Sequence, residues 1–239
     1  MLPIIFVMGI TGSGKGTLST RLAADFGLYH VSIGDEFRAA RKARKEEIPG
    51  MPCEINEYLI ERTEIPTPLL HNLFKPVPFV LLLHNSIVRG EEFNATIIAQ
   101  LLKEKSAKAM ERKGDLPRAM IVDSLDALRV EEINDLRGAL QQIAPTFSGL
   151  TIHIQCPENV ARKRFLLRAR SPHDDARQFR RRMEWHEEMI PQIVDQLQGL
   201  SVVVETVNDD TMTVDEAFRI LSEKLDKVPE WKRLMEGST

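Results

Sequence analysis

The chain has 239 residues, 43% of them hydrophobic, and a formal net charge of −3. That apolar share can fill one sizeable core, and so small a charge gives no global attraction for nucleic acid or an anionic membrane. The two cysteines, Cys53 and Cys156, lie far apart with no CxxC partner, which excludes a disulfide framework and points to a reducing compartment.

The first element in chain order is the apolar run Ile4–Met8. It is short and has no basic segment ahead of it, so it reads as a buried strand and not as a signal peptide. A glycine-rich loop over residues 9–17 follows. Leu18, Leu22 and Phe26 then recur at helical spacing, with Gly27 as the candidate C-cap. Tyr29–Ser32 is the second apolar run. Residues from about 35 to 90 contain Pro49, Pro52, Pro66, Pro68, Pro76 and Pro78, which predicts an insertion of short elements and turns. The longest apolar stretch there, residues 79–83, is too short to span a bilayer.

A helix is expected over residues 91–112, with Phe93, Ile97, Ile98, Leu101 and Leu102 on one side. Strands follow at residues 119–122, 150–155 and 202–206, and a helix over 213–227 carries Val214, Ala217, Phe218 and Leu221. The tail from Val228, with Trp231, reads equally as a last helix on the core or as a frayed end. Near-continuous apolar strands alternating with helices predict an α/β fold, a doubly wound five-stranded parallel sheet with helices on both faces. The expectation is one soluble, cytoplasmic domain over residues 1–239, whose ligands sit beyond the carboxyl ends of the strands.

Residues 9–17 read Gly-Ile-Thr-Gly-Ser-Gly-Lys-Gly-Thr between a strand and a helix, the context a phosphate-binding P-loop requires. Gly12, Ser13, Gly14, Lys15, Gly16 and Thr17 are therefore the candidate residues for binding a nucleoside triphosphate. Glycines let backbone N–H groups approach phosphate oxygens, Lys15 reaches the outer phosphates, and the helix start adds its positive end. The Thr17 hydroxyl is placed for a phosphate or a bound Mg²⁺. Asp123 closes the strand at 119–122, where a carboxylate would face the loop and hold a Mg²⁺-bound water; the alternative is an N-cap on the next helix.

Between Arg162 and Arg182 stand nine basic residues, Arg162, Lys163, Arg164, Arg168, Arg170, Arg177, Arg180, Arg181 and Arg182, opposed by Asp174 and Asp175. A solvated basic face or an RNA-binding patch is the plain alternative. Neither accounts for charges flanking a short Ser-Pro-His-Asp-Asp break, whereas a hinged arginine lid over phosphates does. The six histidines show no metal-ligand spacing, and no GxSxG elbow marks a nucleophile.

The run GxxGxGKGT, the segment Tyr29-His-Val-Ser-Ile-Gly-Asp-Glu-Phe-Arg38 and the segment Glu184-Trp-His-Glu-Glu-Met-Ile-Pro191 together resemble the adenylate kinase and UMP-CMP kinase family of nucleoside monophosphate kinases. The resemblance implies ATP and Mg²⁺ as cofactors and phosphoryl transfer to a small nucleotide acceptor. It implies a monophosphate-binding insertion over about 35–90 and a short lid over about 168–180. By its motifs, Gly34 and Arg38 hold the acceptor, Asp123 and Thr17 the metal, and Lys15, Arg168 and Arg181 act on the moving phosphoryl group. Its implied partners are small-molecule nucleotides, with no nucleic acid or membrane, and the protein is a monomer.

Three positions depart from the family pattern. Its DGFPR segment reads Asp123-Ser-Leu-Asp-Ala127, so the second acceptor arginine is missing, with Arg129 and Arg89 as possible substitutes. Ile33 replaces a threonine, which removes a polar contact near the acceptor base, and Thr11 replaces a loop proline. Asp35 is expected to cap the helix that carries Arg38. Two functions stand open: a kinase with a changed acceptor, or a nucleotide-binding regulatory protein descended from one.

Overall fold

The computed structural model describes residues 1–43, 48–89, 94–111, 114–123, 125, 128–168 and 174–236. Five strands, β1 (Ile4–Met8), β2 (Tyr29–Ser32), β3 (Met120–Asp123), β4 (Phe147–Gln155) and β5 (Val202–Val207), form one sheet in the order β2-β3-β1-β4-β5. All neighbouring pairs are parallel.

Alternation along each strand divides the core in two. Ile4, Phe6, Met8, Met120 and Val122 point to one face, and Ile5, Val7, Ile121 and Ile152 to the other. On the first face lie α2 (Ile33–Ala43), α5 (Phe79–Val88), α6 (Ala95–Met110), α7 (Val130–Asn134), α8 (Leu136–Ile143) and α10 (Ala176–Leu197). The second face is covered by α1 (Lys15–Phe26), α11 (Val214–Leu225) and α12 (Pro229–Glu236). The tail is thus a helix on the core: Trp231 is buried and meets Phe26 edge-on, ring centroids 4.9 Å apart.

Several boundaries move for identifiable reasons. β4 begins at Phe147, ahead of its apolar run, because Ser148 Oγ donates to the Ile4 carbonyl (2.7 Å) and Thr146 Oγ1 to that of Leu2 (2.7 Å). The pairing register shifts there, with Gly149 at φ 71°. β3 takes in Asp123 and β5 takes in Val207, since ladder pairing continues past the apolar residues. α6 starts after Asn94, whose side chain accepts from the Ile97 N–H at 3.1 Å. Glu91 and Phe93 lie outside the described residues.

Within the proline-rich insertion, α3 (Cys53–Glu61), α4 (Thr67–Leu73) and α5 enclose a separate apolar cluster of Ile55, Leu59, Ile65, Leu70, Val77 and Leu81. Asn85 locks it by accepting from the Ile65 N–H (2.9 Å) and donating to the Ile65 carbonyl (2.8 Å). The remaining helix, α9 (Glu158–Arg168), follows β4 and packs Ala161 and Phe165 under the loop residue Ile10.

Candidate functional site

The chain leaves β1 for β2 at one edge and leaves β3 for β4 on the other side of β1. The carboxyl ends of β1 and β3 therefore border the crevice where ligands of open α/β sheets bind. The glycine loop fills the β1 side. Gly12 and Gly14 have φ of 87° and 94°, and a Cβ at either would run into the Ala161 carbonyl or the Asn208 side-chain amide. Gly14 caps α1, whose first helical bond runs from the Leu18 N–H to the Gly14 carbonyl at 3.0 Å. The N–H groups of Lys15, Gly16 and Thr17 fall in the opening turn, whose donors have no intrahelical acceptor. Lys15 Nζ lies across the loop, donating to the carbonyls of Gly9 and Ile10, the latter at 3.2 Å.

Asp123 stands on the β3 side, in register with Val7 and only 3% exposed. Its Oδ2 is 3.6 Å from where a Cβ on Gly16 would sit, so the carboxylate faces the loop. The next α-helix, α7, begins at Val130 with Arg129 at its N-cap. His30 Nε2 lies 3.2 Å from Asp123 Oδ2, and His30 Nδ1 lies 3.2 Å from Thr20 Oγ1, an arrangement no sequence motif announces. Among the described residues, no group of three or more His, Cys, Asp or Glu side chains could hold a metal. One carboxylate and a hydroxyl beside a polyphosphate cradle nevertheless fit Mg²⁺, which keeps most of its shell as water and phosphate oxygen.

Arg168, the last residue of α9, brings Nη2 within 3.5 Å of Thr11 Oγ1 on the loop. Its guanidinium lies 5.6 Å from the centre of the Phe165 ring, and that of Arg182 lies 5.5 Å from the same ring. Phe165 is fully buried against Phe179, so both arginines lean on a fixed platform. Arg181, like Arg177 and Arg180, is exposed on α10. Arg164 turns elsewhere, with Nη1 and Nη2 donating to the carbonyls of Asn208 (3.0 Å) and Asp209 (2.6 Å). Residues 169–173 of the expected lid, Arg170 among them, lie outside the described residues, as do Ser124, Asp126 and Ala127.

Gly34 and Arg38, the expected acceptor residues, occupy α2, which starts directly from β2. Asp35 does not cap that helix. Ser32 Oγ accepts from the Asp35 N–H at 3.4 Å, and the Asp35 carboxylate in the first turn binds Arg38 Nη2 instead. Ile33 is 2% exposed within the main core, so its side chain serves packing. Neither substitute arginine is isolated from acid. Arg89 reaches Glu64 Oε1 through Nε (3.0 Å) and Nη2 (2.5 Å), which holds the Glu64 carboxyl below its ordinary range. Arg129 Nη2 lies 3.5 Å from Glu132 Oε1. Burial pushes the Cys156 thiol up, so it is not an activated nucleophile.

An AAA domain family matches residues 8–65, from the end of β1 through the glycine loop and α2 into the insertion. UMP-CMP kinase 2 of Oryza sativa subsp. japonica is 30% identical over 172 residues, covering 72% of this chain and 53% of the rice protein. Adenylate kinase of Bacillus subtilis is 37% identical over 71 residues, 30% of this chain and 31% of its own length. That of Bacillus licheniformis is 53% identical over 62 residues, 26% of this chain and 27% of its own. The chain thus matches about half of the rice relative's length and under a third of the bacterial ones.

Proposed function

This chain is a nucleoside monophosphate kinase-like P-loop protein, and from that premise we propose that it transfers a phosphoryl group from ATP to a nucleoside monophosphate or a similar small acceptor. The observation that carries the reading is convergence across one crevice. The glycine loop with Lys15 faces Asp123 from β1 to β3, and Arg168 reaches the same loop from α9. Phosphoryl transfer asks little covalent chemistry of a protein; it asks for positioning and for positive charge around the moving group.

Each residue then has a defined task. Backbone N–H groups from Gly12 to Thr17 cradle the polyphosphate, and Lys15 exchanges its carbonyl partners for phosphate oxygens. Arg168 and a lid arginine from α10 neutralise charge as it spreads over the transferred group. Thr17 and Asp123 would hold Mg²⁺, directly or through water, and the ion would supply further neutralisation of the polyphosphate. Gly34 and Arg38 orient the acceptor. The chain works as one domain, its insertion over about 35–90 serving the acceptor and a short lid over about 168–180 the donor. Among the described residues no helix is long and apolar enough to cross a membrane. A cytoplasmic monomer acting on small nucleotides fits this reading.

A second reading, a nucleotide-binding protein with little transfer, draws on one observation. Every candidate for the acceptor phosphate already has a carboxylate beside it: Arg38 with Asp35, Arg89 with Glu64, Arg129 with Glu132. An acceptor screen separates the two. The protein is offered ATP, Mg²⁺ and each common nucleoside and deoxynucleoside monophosphate, and ADP release is followed. A kinase releases ADP well above the no-acceptor rate with at least one of them and loses that activity as Lys15→Ala. If ATP binds and every acceptor gives only background hydrolysis, the second reading stands.

A further inference from the structure

Asn208 lies at the exit of β5, 195 residues from Ser13, yet its side-chain Nδ2 donates to the Ser13 carbonyl at 2.7 Å. Two further contacts and its burial fix it. Its own N–H donates to the Gln155 carbonyl at the end of β4 (2.9 Å), its carbonyl accepts from Arg164 Nη1 of α9 (3.0 Å), and it is 8% exposed. The amide occupies the space a side chain on Gly14 would need.

From this contact we propose that Asn208 is a positioning residue for the phosphate loop, a role that rests on the nucleotide-binding reading above. The argument is one of peptide geometry. In a trans peptide the carbonyl of Ser13 and the N–H of Gly14 share a plane and point in opposite directions. Drawing the carbonyl toward Asn208 therefore turns the Gly14 N–H away from it, toward the hollow of the loop where a phosphate oxygen would lie. Without that anchor the peptide can rotate, because glycine at position 14 tolerates many backbone angles. Arg164 extends the anchor. By holding the Asn208 carbonyl it ties the loop to the helix that ends in Arg168, so the cradle and the lid arginine share one support.

Asn208→Ala and the isosteric Asn208→Asp are compared with the wild type by calorimetry, using ATP and, separately, inorganic tripolyphosphate, while the Gly14 amide is followed by NMR. The Ala variant is expected to bind both ligands about tenfold more weakly, the size of effect that follows from losing one buried hydrogen bond and leaving its acceptor unmet. The Asp variant is expected to lose more, since a carboxylate would face the Ser13 carbonyl, and it carries the test if Asn208→Ala fails to fold. In both, the Gly14 amide shift on adding tripolyphosphate should shrink. Wild-type affinity with an unchanged Gly14 shift would overturn the proposal and leave the kinase reading intact. So would a loss confined to ATP, which would place Asn208 at the nucleoside end. If the wild type binds neither ligand, the nucleotide reading falls and this proposal with it.

Discussion

On the donor side the phosphate loop is pinned from several directions: Ala161 of α9 packs against Gly12, Asn208 holds Ser13, and Lys15 spans two loop carbonyls. On the acceptor side the candidate groups hang from α2 and from an insertion that builds its own small apolar cluster, and their charges are met by neighbouring carboxylates. The first arrangement is preorganised in its backbone donors, which are set before any ligand arrives and need not be released from a competitor; Lys15 alone exchanges carbonyl partners. The second must exchange partners on binding, since a phosphate has to outcompete a carboxylate for Arg38. Under the proposed function, such a site keeps its phosphate cradle while its acceptor preference changes, and the departures at residues 124–127 fall on the proposed acceptor half.

The sharpest break in that comparison is Lys15→Ala. It removes a point charge from the outer phosphates and is expected to lower kcat/KM by about a thousandfold with ATP binding much weakened. The circular dichroism spectrum should be unchanged, since Lys15 contributes no core packing. Calorimetry showing ATP bound as tightly as by the wild type would mean that the loop is not the nucleotide site.

Next in size is the lid. Arg168→Ala and Arg182→Ala should each lower kcat by about a hundredfold, more than they raise the ATP KM, because their contacts strengthen as charge moves in the transition state. The motif resemblance favours Arg181, and the shared Phe165 platform favours Arg182; Arg181→Ala is the deciding comparison. A larger kcat loss at Arg181 than at Arg182 would favour the motif's choice. Small, equal losses at all three would return the basic stretch to solvated surface.

A smaller effect is expected at Arg38. Its replacement by Ala should cost the best acceptor about ten- to a hundredfold in kcat/KM, the worth of one charge-assisted contact, while ATP affinity is kept. Asp35→Asn should act in the opposite direction and lower the acceptor KM, since it weakens the competitor for the same guanidinium. AMP is expected to be a poor acceptor. Efficient AMP phosphorylation that ignores Arg38→Ala would remove Arg38 from the site.

Much of this architecture is readable without coordinates because its signals are local. The five apolar runs announce strands covered on both faces, and GxGKGT between a strand and a helix announces the phosphate cradle. What escapes the sequence depends on rotation or on distance along the chain. Arg181 and Arg182 differ by one step around α10, about 100°, which no spacing rule separates when both belong to a basic run. Asn208 sits in a polar loop, and nothing near it points to Ser13. Ile33 looks like a change in a polar pocket, yet its side chain faces the core with Phe37. Asp35 has the right type for a cap, but Ser32 does the capping, and the acid turns to Arg38.

The smallest effect tests whether Arg89 belongs to the acceptor site or only to the insertion's own structure. Both partners of its ion pair with Glu64 are partly exposed, so the pair adds little to stability. Its pH dependence has a definite sign. The hydrogen bond from Arg89 keeps Glu64 ionised below its ordinary pKa, so the pair's contribution is complete above that value and is lost as pH falls through the lowered one. Glu64→Gln should therefore lower the thermal midpoint slightly at pH about 7, and the difference from the wild type should shrink toward pH about 3, as the carboxyl takes up its proton below its ordinary value. An equal difference at both pH values would mean that the loss comes from packing and not from charge. The same variant also reports on function. If Arg89 binds the acceptor phosphate, releasing it from Glu64 should lower the acceptor KM; if it only braces α5 against the segment before α4, the acceptor KM will not move while the midpoint does.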